Sequence, residues 1–179
     1  MAKPLVLFDI DGTLLLTGGA GMRAMKKAAA ELFGESFHFD GIVVSGHLDP
    51  LIFAEAALLN GLDDDPAHHR RFRARYLELL PLELTTAPER VRCMPGIREA
   101  LQTLRERQLA TPGLLTGNYP EAIPLKLRAI GVEPAWFEIT AFGDEASSRA
   151  ELVELAISKY AASTGAAVDP RRVIIVGDT

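Results

Sequence analysis

Four short apolar runs, Pro4–Phe8, Leu109–Leu115, Phe137–Phe142 and Arg172–Val176, have the length and bounded setting of buried strands. Apolar positions at helical spacing accompany the last three, over Gly96–Arg107, Tyr119–Ile130 and Ser147–Ala162. This alternation predicts βαβ units and a Rossmann-like parallel sheet with helices on both faces. Pro112-Gly113 interrupt the second run, which points to an edge position, a bulge or a start delayed to Leu114.

The chain does not return promptly to the sheet after the first run. Gly21–Phe33 places Met22, Met25, Ala29, Leu32 and Phe33 close to one helical face. Asp49–Leu59 opens on an acid N-cap with Pro50 in the first helical position. A third helix is predicted from Pro66 to Leu80, with Asp63-Asp64-Asp65 suiting its N-terminus. Phe37–Val44 is apolar and irregular and receives no assignment. The organisation expected is an α/β core of residues 1–17 and 93–179 with a small helical domain of residues 18–92 inserted in it. Leu15–Gly19 and Arg92–Gly96 carry the glycines suited to hinges.

Composition narrows the partners. Of 179 residues, 48% are hydrophobic, enough for a sizeable core. The net charge of −5 argues against general binding to nucleic acid or an acidic membrane, but leaves room for a small anionic substrate in a local positive pocket. Cys93 is the single cysteine, so no internal disulfide forms and a reducing compartment fits; its plain setting reads as a small hydrophobe. No apolar run reaches membrane-spanning length, and Met1-Ala2-Lys3-Pro4 leads straight into a strand rather than a signal peptide. A soluble, cytoplasmic protein is expected.

The chemistry concentrates at predicted strand ends. The first ends in Asp9-Ile10-Asp11-Gly12-Thr13, the second in Thr116-Gly117-Asn118 and the last in Gly177-Asp178-Thr179. Two carboxylates about 4 Å apart repel by about 4 kcal/mol at an effective dielectric near 20, so Asp9 and Asp11 ask for a cation or a proton. In a parallel sheet these ends share one edge, where ligands bind. Three carboxylates there make a hard oxygen site suited to Mg²⁺, and the polar groups of Thr116-Gly117-Asn118 before a helix suit a phosphate. Asp9 is then the natural nucleophile on phosphorus. Asp11, back on the same side of the strand, can protonate the leaving oxygen and later activate water.

With those motifs in place, the chain resembles the haloacid dehalogenase-like hydrolases. Asp9-Ile10-Asp11-Gly12-Thr13 is similar to that family's first signature, Leu114-Leu115-Thr116-Gly117-Asn118 to its second, and Ile174-Ile175-Val176-Gly177-Asp178 to the start of its last. The insertion after the first strand resembles the subgroup with a small helical cap, and Arg92-Cys93-Met94-Pro95-Gly96 its re-entry into the core. The resemblance implies Asp9 as nucleophile and metal ligand, and Asp11 as acid/base binding metal through its backbone oxygen. It further implies Gly12, Thr116, Gly117 and Asn118 at the phosphate, and Asp178 as a third metal ligand. Asp11 favours phosphoryl chemistry, because the dehalogenase branch lacks the second aspartate. The family also expects a basic residue gripping nucleophile and phosphate; Arg149 is favoured over Lys126, which lies inside the preceding helix. Against the same pattern, a second acid and a C-terminal strand and helix are missing after Thr179.

The function implied is a Mg²⁺-dependent phosphatase, phosphoglycolate phosphatase-like, acting on a small phosphorylated metabolite through an aspartyl-phosphate. The alternatives are a sugar-phosphate mutase of the same superfamily or an inactive truncated member. Other polar features read as structural. The run from His68 to Arg75 is expected to be a solvated helix face, His47 a surface loop residue with a lesser prospect of touching substrate, His38 packing, and Met22 and Met25 core.

Overall fold

The computed structural model describes residues 3–63 and 65–178; Asp64 of the predicted acidic run, and Thr179, lie outside them. Four parallel strands, β1 (Leu5–Phe8), β4 (Thr111–Leu115), β5 (Ile139–Ala141) and β6 (Val173–Val176), pair in the order β5-β4-β1-β6. The side chains of β1 alternate between two faces, as a strand's must. Val6 and Phe8 pack with Leu101 of α4 (Ile97–Arg107) and with Ile123 and Leu127 of α5 (Ala122–Ala129). Leu5 and Leu7 pack with Leu152, Ala156 and Tyr160 of α6 (Arg149–Thr164) on the opposite face. The sheet therefore has helices on both faces, the Rossmann-like α/β class expected.

Pro112 sits in β4 between two strands, neither at an edge nor in a bulge, and the strand starts before Leu114. The carbonyl of Pro112 accepts from Glu138 N at 2.9 Å, so the missing N–H faces the β5 side. There the regular pairing begins only at Gly113 with Ile139, and no ladder bond is lost.

Between β1 and β4 lie α1 (Ala20–Phe33), α2 (Asp49–Leu59) and α3 (Pro66–Thr86). They share an apolar core centred on Phe53, Phe72 and Tyr76, with Phe53 and Phe72 stacked 4.0 Å apart, and Tyr119 and Ala122 from beyond β4 complete it. Phe37 and Phe39 of the unassigned stretch are buried in it, while the His38 side chain between them is half exposed beside Asp40 rather than packed. Helix α3 outruns its predicted end, passing Pro81 to Thr86, because Glu83 and Leu84 still face the interior. Glu83 is buried against Arg23 and Lys27, which hold its carboxyl below its ordinary range.

The two predicted hinges lie side by side. Leu15–Leu16 (β2) pairs antiparallel with Arg92–Cys93 (β3), a ladder that the sequence pattern did not signal. Asp49 begins α2 without capping it through its side chain, contrary to its reading as an N-cap. The predicted solvated face at 68–75 is also revised: Phe72 is fully buried, Arg73 is paired with Glu121 and Asp144, Arg75 with Glu31, and His69 shares a 2.7 Å hydrogen bond with the Tyr119 hydroxyl. Among the described residues no helix is long and apolar enough to cross a membrane.

Candidate active site

Strands β4, β1 and β6 are adjacent and parallel, so the residues just past their carboxyl ends meet along one edge. Asp9 N still donates to Val176 O at 2.9 Å, as a last sheet bond. The chain then turns on the Ile10 carbonyl, which accepts from Leu14 N at 2.9 Å and Leu15 N at 3.1 Å. Gly12 occupies this turn with φ of 81°, in the left-handed region. The backbone there favours glycine, and the Asp178 carboxylate lies directly over its Cα.

The polar side chains of the edge form one connected chain. Asp9 Oδ1 accepts from Ile10 N at 2.8 Å, and Oδ2 accepts from Arg149 Nη2 at 3.1 Å. Thr116 hydrogen-bonds the Asp9 carboxylate. Asn118 Nδ2 donates to Thr116 Oγ1 and to Asp11 Oδ2, both at 2.8 Å. Lys126 Nζ donates to Asp11 Oδ2 at 2.6 Å and to Asn118 Oδ1. Burial pushes the Asp9 carboxyl above its ordinary range, and the Arg149 guanidinium and the Ile10 N–H oppose it.

Both basic candidates therefore reach the site: Arg149 from the start of α6 touches Asp9, and Lys126 from within α5 touches Asp11. A position inside a helix does not keep Lys126 from the site, because its long buried side chain reaches Asp11 at the strand ends. Thr116 is fully buried and its hydroxyl is engaged by Asp9 and Asn118. The amide of Asn118 is shared among Thr116, Asp11 and Lys126. These two residues hold the acids and bases in place. Gly117 receives the loop before α2: its carbonyl accepts from Asp49 N at 2.7 Å, and a Cβ on it would collide with the His47 carbonyl.

The edge is the floor of a cavity of about 370 Å³, lined by Asp9, Asp11, Gly12, Lys126, Arg149 and Asp178. Its opposite wall comes from α1, α2, α3 and the loop at 44–48. His47 lines it and hydrogen-bonds Glu55 at 2.8 Å. Met22 and Met25 line it too, so these two methionines serve the cavity as well as the core.

Sequence reasoning missed Asp49 as a site residue. The residue is 8% exposed and lines the cavity, and its carboxylate accepts from Tyr119 N at 3.2 Å. Burial pushes it up to about 7, partly opposed by Lys126 and reinforced by Asp11. An acid before a proline at a helix start carries the same local signature whether it caps the helix or faces a ligand.

Among the described residues no three His, Cys, Asp or Glu side chains are gathered closely enough to chelate an ion. Mg²⁺ asks for less, one or two carboxylates with waters and substrate oxygens completing its shell. Asp9 and Asp178 face the same cavity, and Asp178 lies against Gly12, so the hard-oxygen donors present fit that requirement.

A family model described as haloacid dehalogenase-like hydrolase matches residues 3–179. No curated protein matches the chain. Among solved structures, CbbY from Rhodobacter sphaeroides in complex with phosphate is 18% identical, with a TM-score of 0.70 over 97% of this chain and 76% of that one. A mutant CbbY with xylulose-(1,5)bisphosphate gives 17% identity and a TM-score of 0.73 over the same shares. A Lactobacillus plantarum protein provisionally assigned as a phosphoglycolate phosphatase is 18% identical, with a TM-score of 0.63 over 100% of this chain and 79% of that one. At such identities the likeness is one of fold.

Proposed function

The chain belongs to the haloacid dehalogenase-like hydrolases, and on that premise we propose that it is a Mg²⁺-dependent phosphatase acting on a small phosphate monoester through an aspartyl-phosphate. The observation that carries this reading is the connected chain from Arg149 through Asp9, Thr116, Asn118 and Asp11 to Lys126, on the floor of one cavity. It sets two carboxylates of separate roles beside two fixed cations.

In the first step a carboxylate oxygen of Asp9 forms a bond to phosphorus as the bond to the leaving oxygen breaks. Protonated Asp11 gives its proton to that oxygen, and the alcohol departs. In the second step water attacks phosphorus, its proton passes to Asp11, and the Asp9–phosphorus bond breaks to release inorganic phosphate. Arg149 and Lys126 stand where the phosphoryl oxygens need countercharge and cost no reorganisation, since both are already anchored. Thr116 and Asn118 fix the acids at the seat proposed for the phosphate. Mg²⁺, held by Asp9, Asp178 and the main-chain oxygen of Asp11, would offset the repulsion between the attacking carboxylate and the phosphate.

Residues 18–92 act as a cap in this reading. The paired hinges β2 and β3 allow them to move over the strand ends, and closure excludes water during the first step.

The test is release of phosphate from p-nitrophenyl phosphate with Mg²⁺. Asp9→Asn is expected to lower kcat by at least ~10³-fold, about 4 kcal/mol of transition-state stabilisation, and EDTA to abolish the activity. Activity that persists in EDTA, or survives Asp9→Asn, excludes the mechanism.

A further inference from the structure

The floor of the cavity suits a phosphate, while the opposite wall has a different character. Met22 and Met25 on α1, Val44 in the loop, and Ile52 on α2 present apolar surface. Set among them is the Asp49 carboxyl, with one oxygen on Tyr119 N and Tyr76 beside it in the lining. Among the described residues that line the cavity, three carry basic groups: Lys126, Arg149 and His47. Lys126 and Arg149 are held on Asp11 and Asp9, where the reacting phosphoryl group needs them. His47 is bonded to Glu55.

A second anionic group on the substrate would have to lie against methionine and aliphatic side chains and close to a carboxylate. An unpaired charge in such surroundings is strongly disfavoured. A hydroxyl group meets the opposite situation, since it can donate to Asp49 and lay its carbon skeleton on the apolar wall.

Resting on the phosphatase reading above, we infer that the substrate is a phosphate monoester whose organic part bears hydroxyl groups and no second phosphate or carboxylate, and that Asp49 selects it. The cavity volume of about 370 Å³ lies near the lower end for small-molecule sites, which fits a compact polyol or sugar monophosphate. One neighbouring depression competes with this inference. It shares Asp11, Gly12 and Thr17 with the cavity and carries Arg90 and Arg92 on its rim. Arg90 lies 3.7 Å from Glu89, and both side chains are largely exposed, so it is a weak seat for a second anion.

The experiment compares kcat/KM for glycerol 3-phosphate and 3-phosphoglycerate, which share a carbon skeleton and differ by a hydroxymethyl against a carboxylate. p-Nitrophenyl phosphate serves as the reference. The wild-type protein is expected to favour glycerol 3-phosphate by about tenfold or more. Asp49→Asn should shrink that ratio severalfold, and Met22→Arg, which adds a cation to the apolar wall, should shift it toward 3-phosphoglycerate. A wild-type preference for 3-phosphoglycerate, or a ratio unmoved by both substitutions, overturns the inference while p-nitrophenyl phosphate turnover leaves the phosphatase reading standing. A preference for the carboxylate substrate that disappears in Arg90→Ala/Arg92→Ala overturns it in favour of the neighbouring depression. Failure to hydrolyse any of the three substrates removes the phosphatase reading and this inference with it.

Discussion

Around Asp9 and Asp11 the side chains are positioned by charge and hydrogen bonds, with Arg149 and Lys126 drawn in from two different helices. Around Phe53 and Phe72 the three inserted helices are positioned by stacked rings and close-packed alanines, with the buried carboxylate of Glu83 matched by Arg23 and Lys27. The first region hangs from the ends of parallel strands, so its geometry follows from the sheet. The second sets its own shape by packing, and it meets the first through Tyr119 and Ala122, which enter its apolar core, and at a few polar points. Asp49 N bonds to the Gly117 carbonyl, Asp49 Oδ2 to Tyr119 N, and Arg73 to both Glu121 and Asp144. The proposed reaction chemistry and substrate choice therefore draw on different parts of the molecule, and substitutions away from the Tyr119 seam should disturb them separately.

The largest effect on stability is expected from Phe72→Ala. Removing a fully buried ring stacked on Phe53 should cost about 3–5 kcal/mol, read as a lowered urea midpoint. The loss should appear in the helices between β1 and β4 while the strand-end network survives.

Asp49 sharpens the comparison through pH. Its carboxyl is pushed from 3.8 up to about 7 in the folded protein. Between those values the folded state keeps a proton that the unfolded chain has released. Stability therefore falls as pH rises through this window, and the full penalty is present above pH 7. Asp49→Asn should flatten the dependence and raise stability at pH 8 by on the order of 2–4 kcal/mol, with little change at pH 4. Thermal denaturation at the two pH values decides it; equal shifts at both would refute the assignment.

Lys126→Ala should cost roughly 2–3 kcal/mol in urea denaturation. Its ammonium side chain is 4% exposed, but the side chain of its partner Asp11 is 44% exposed, which keeps the loss below that of a fully buried pair. Arg73→Ala should cost least, about 1 kcal/mol or less, because its ion pairs are partly solvated. A higher rate of proteolysis within residues 18–92 would accompany it if these pairs hold the inserted helices down.

The same division explains what could be read from residue order. The strand-end acids and Thr116 were legible because parallel pairing brings strand ends together wherever the intervening chain goes. The α/β class was legible because apolar runs and helical patterns alternate. Pro112 misled, since its effect depends on which side of the strand its missing N–H faces, and that is set by the start of β5. Lys126 is less legible than Arg149 because helix position hides the reach of a long side chain. Asp49 reads as a cap in the sequence, because its partner Tyr119 N lies 70 residues away and only the docking of α2 on the strand ends creates the contact. The run from His68 to Arg75 looked solvated because its partners, Glu31, Tyr119, Glu121 and Asp144, are all remote in sequence.

The central claim is that Asp9 carries the phosphoryl group in a covalent intermediate. The most direct measurement mixes the protein with Mg²⁺ and glycerol 3-phosphate, quenches in acid within one turnover, and maps phosphate on the peptides by mass spectrometry. The account predicts phosphate on Asp9, absent from the Asp9→Asn protein. Turnover with no phosphorylated peptide at Asp9, or with phosphate carried on another residue, would contradict it.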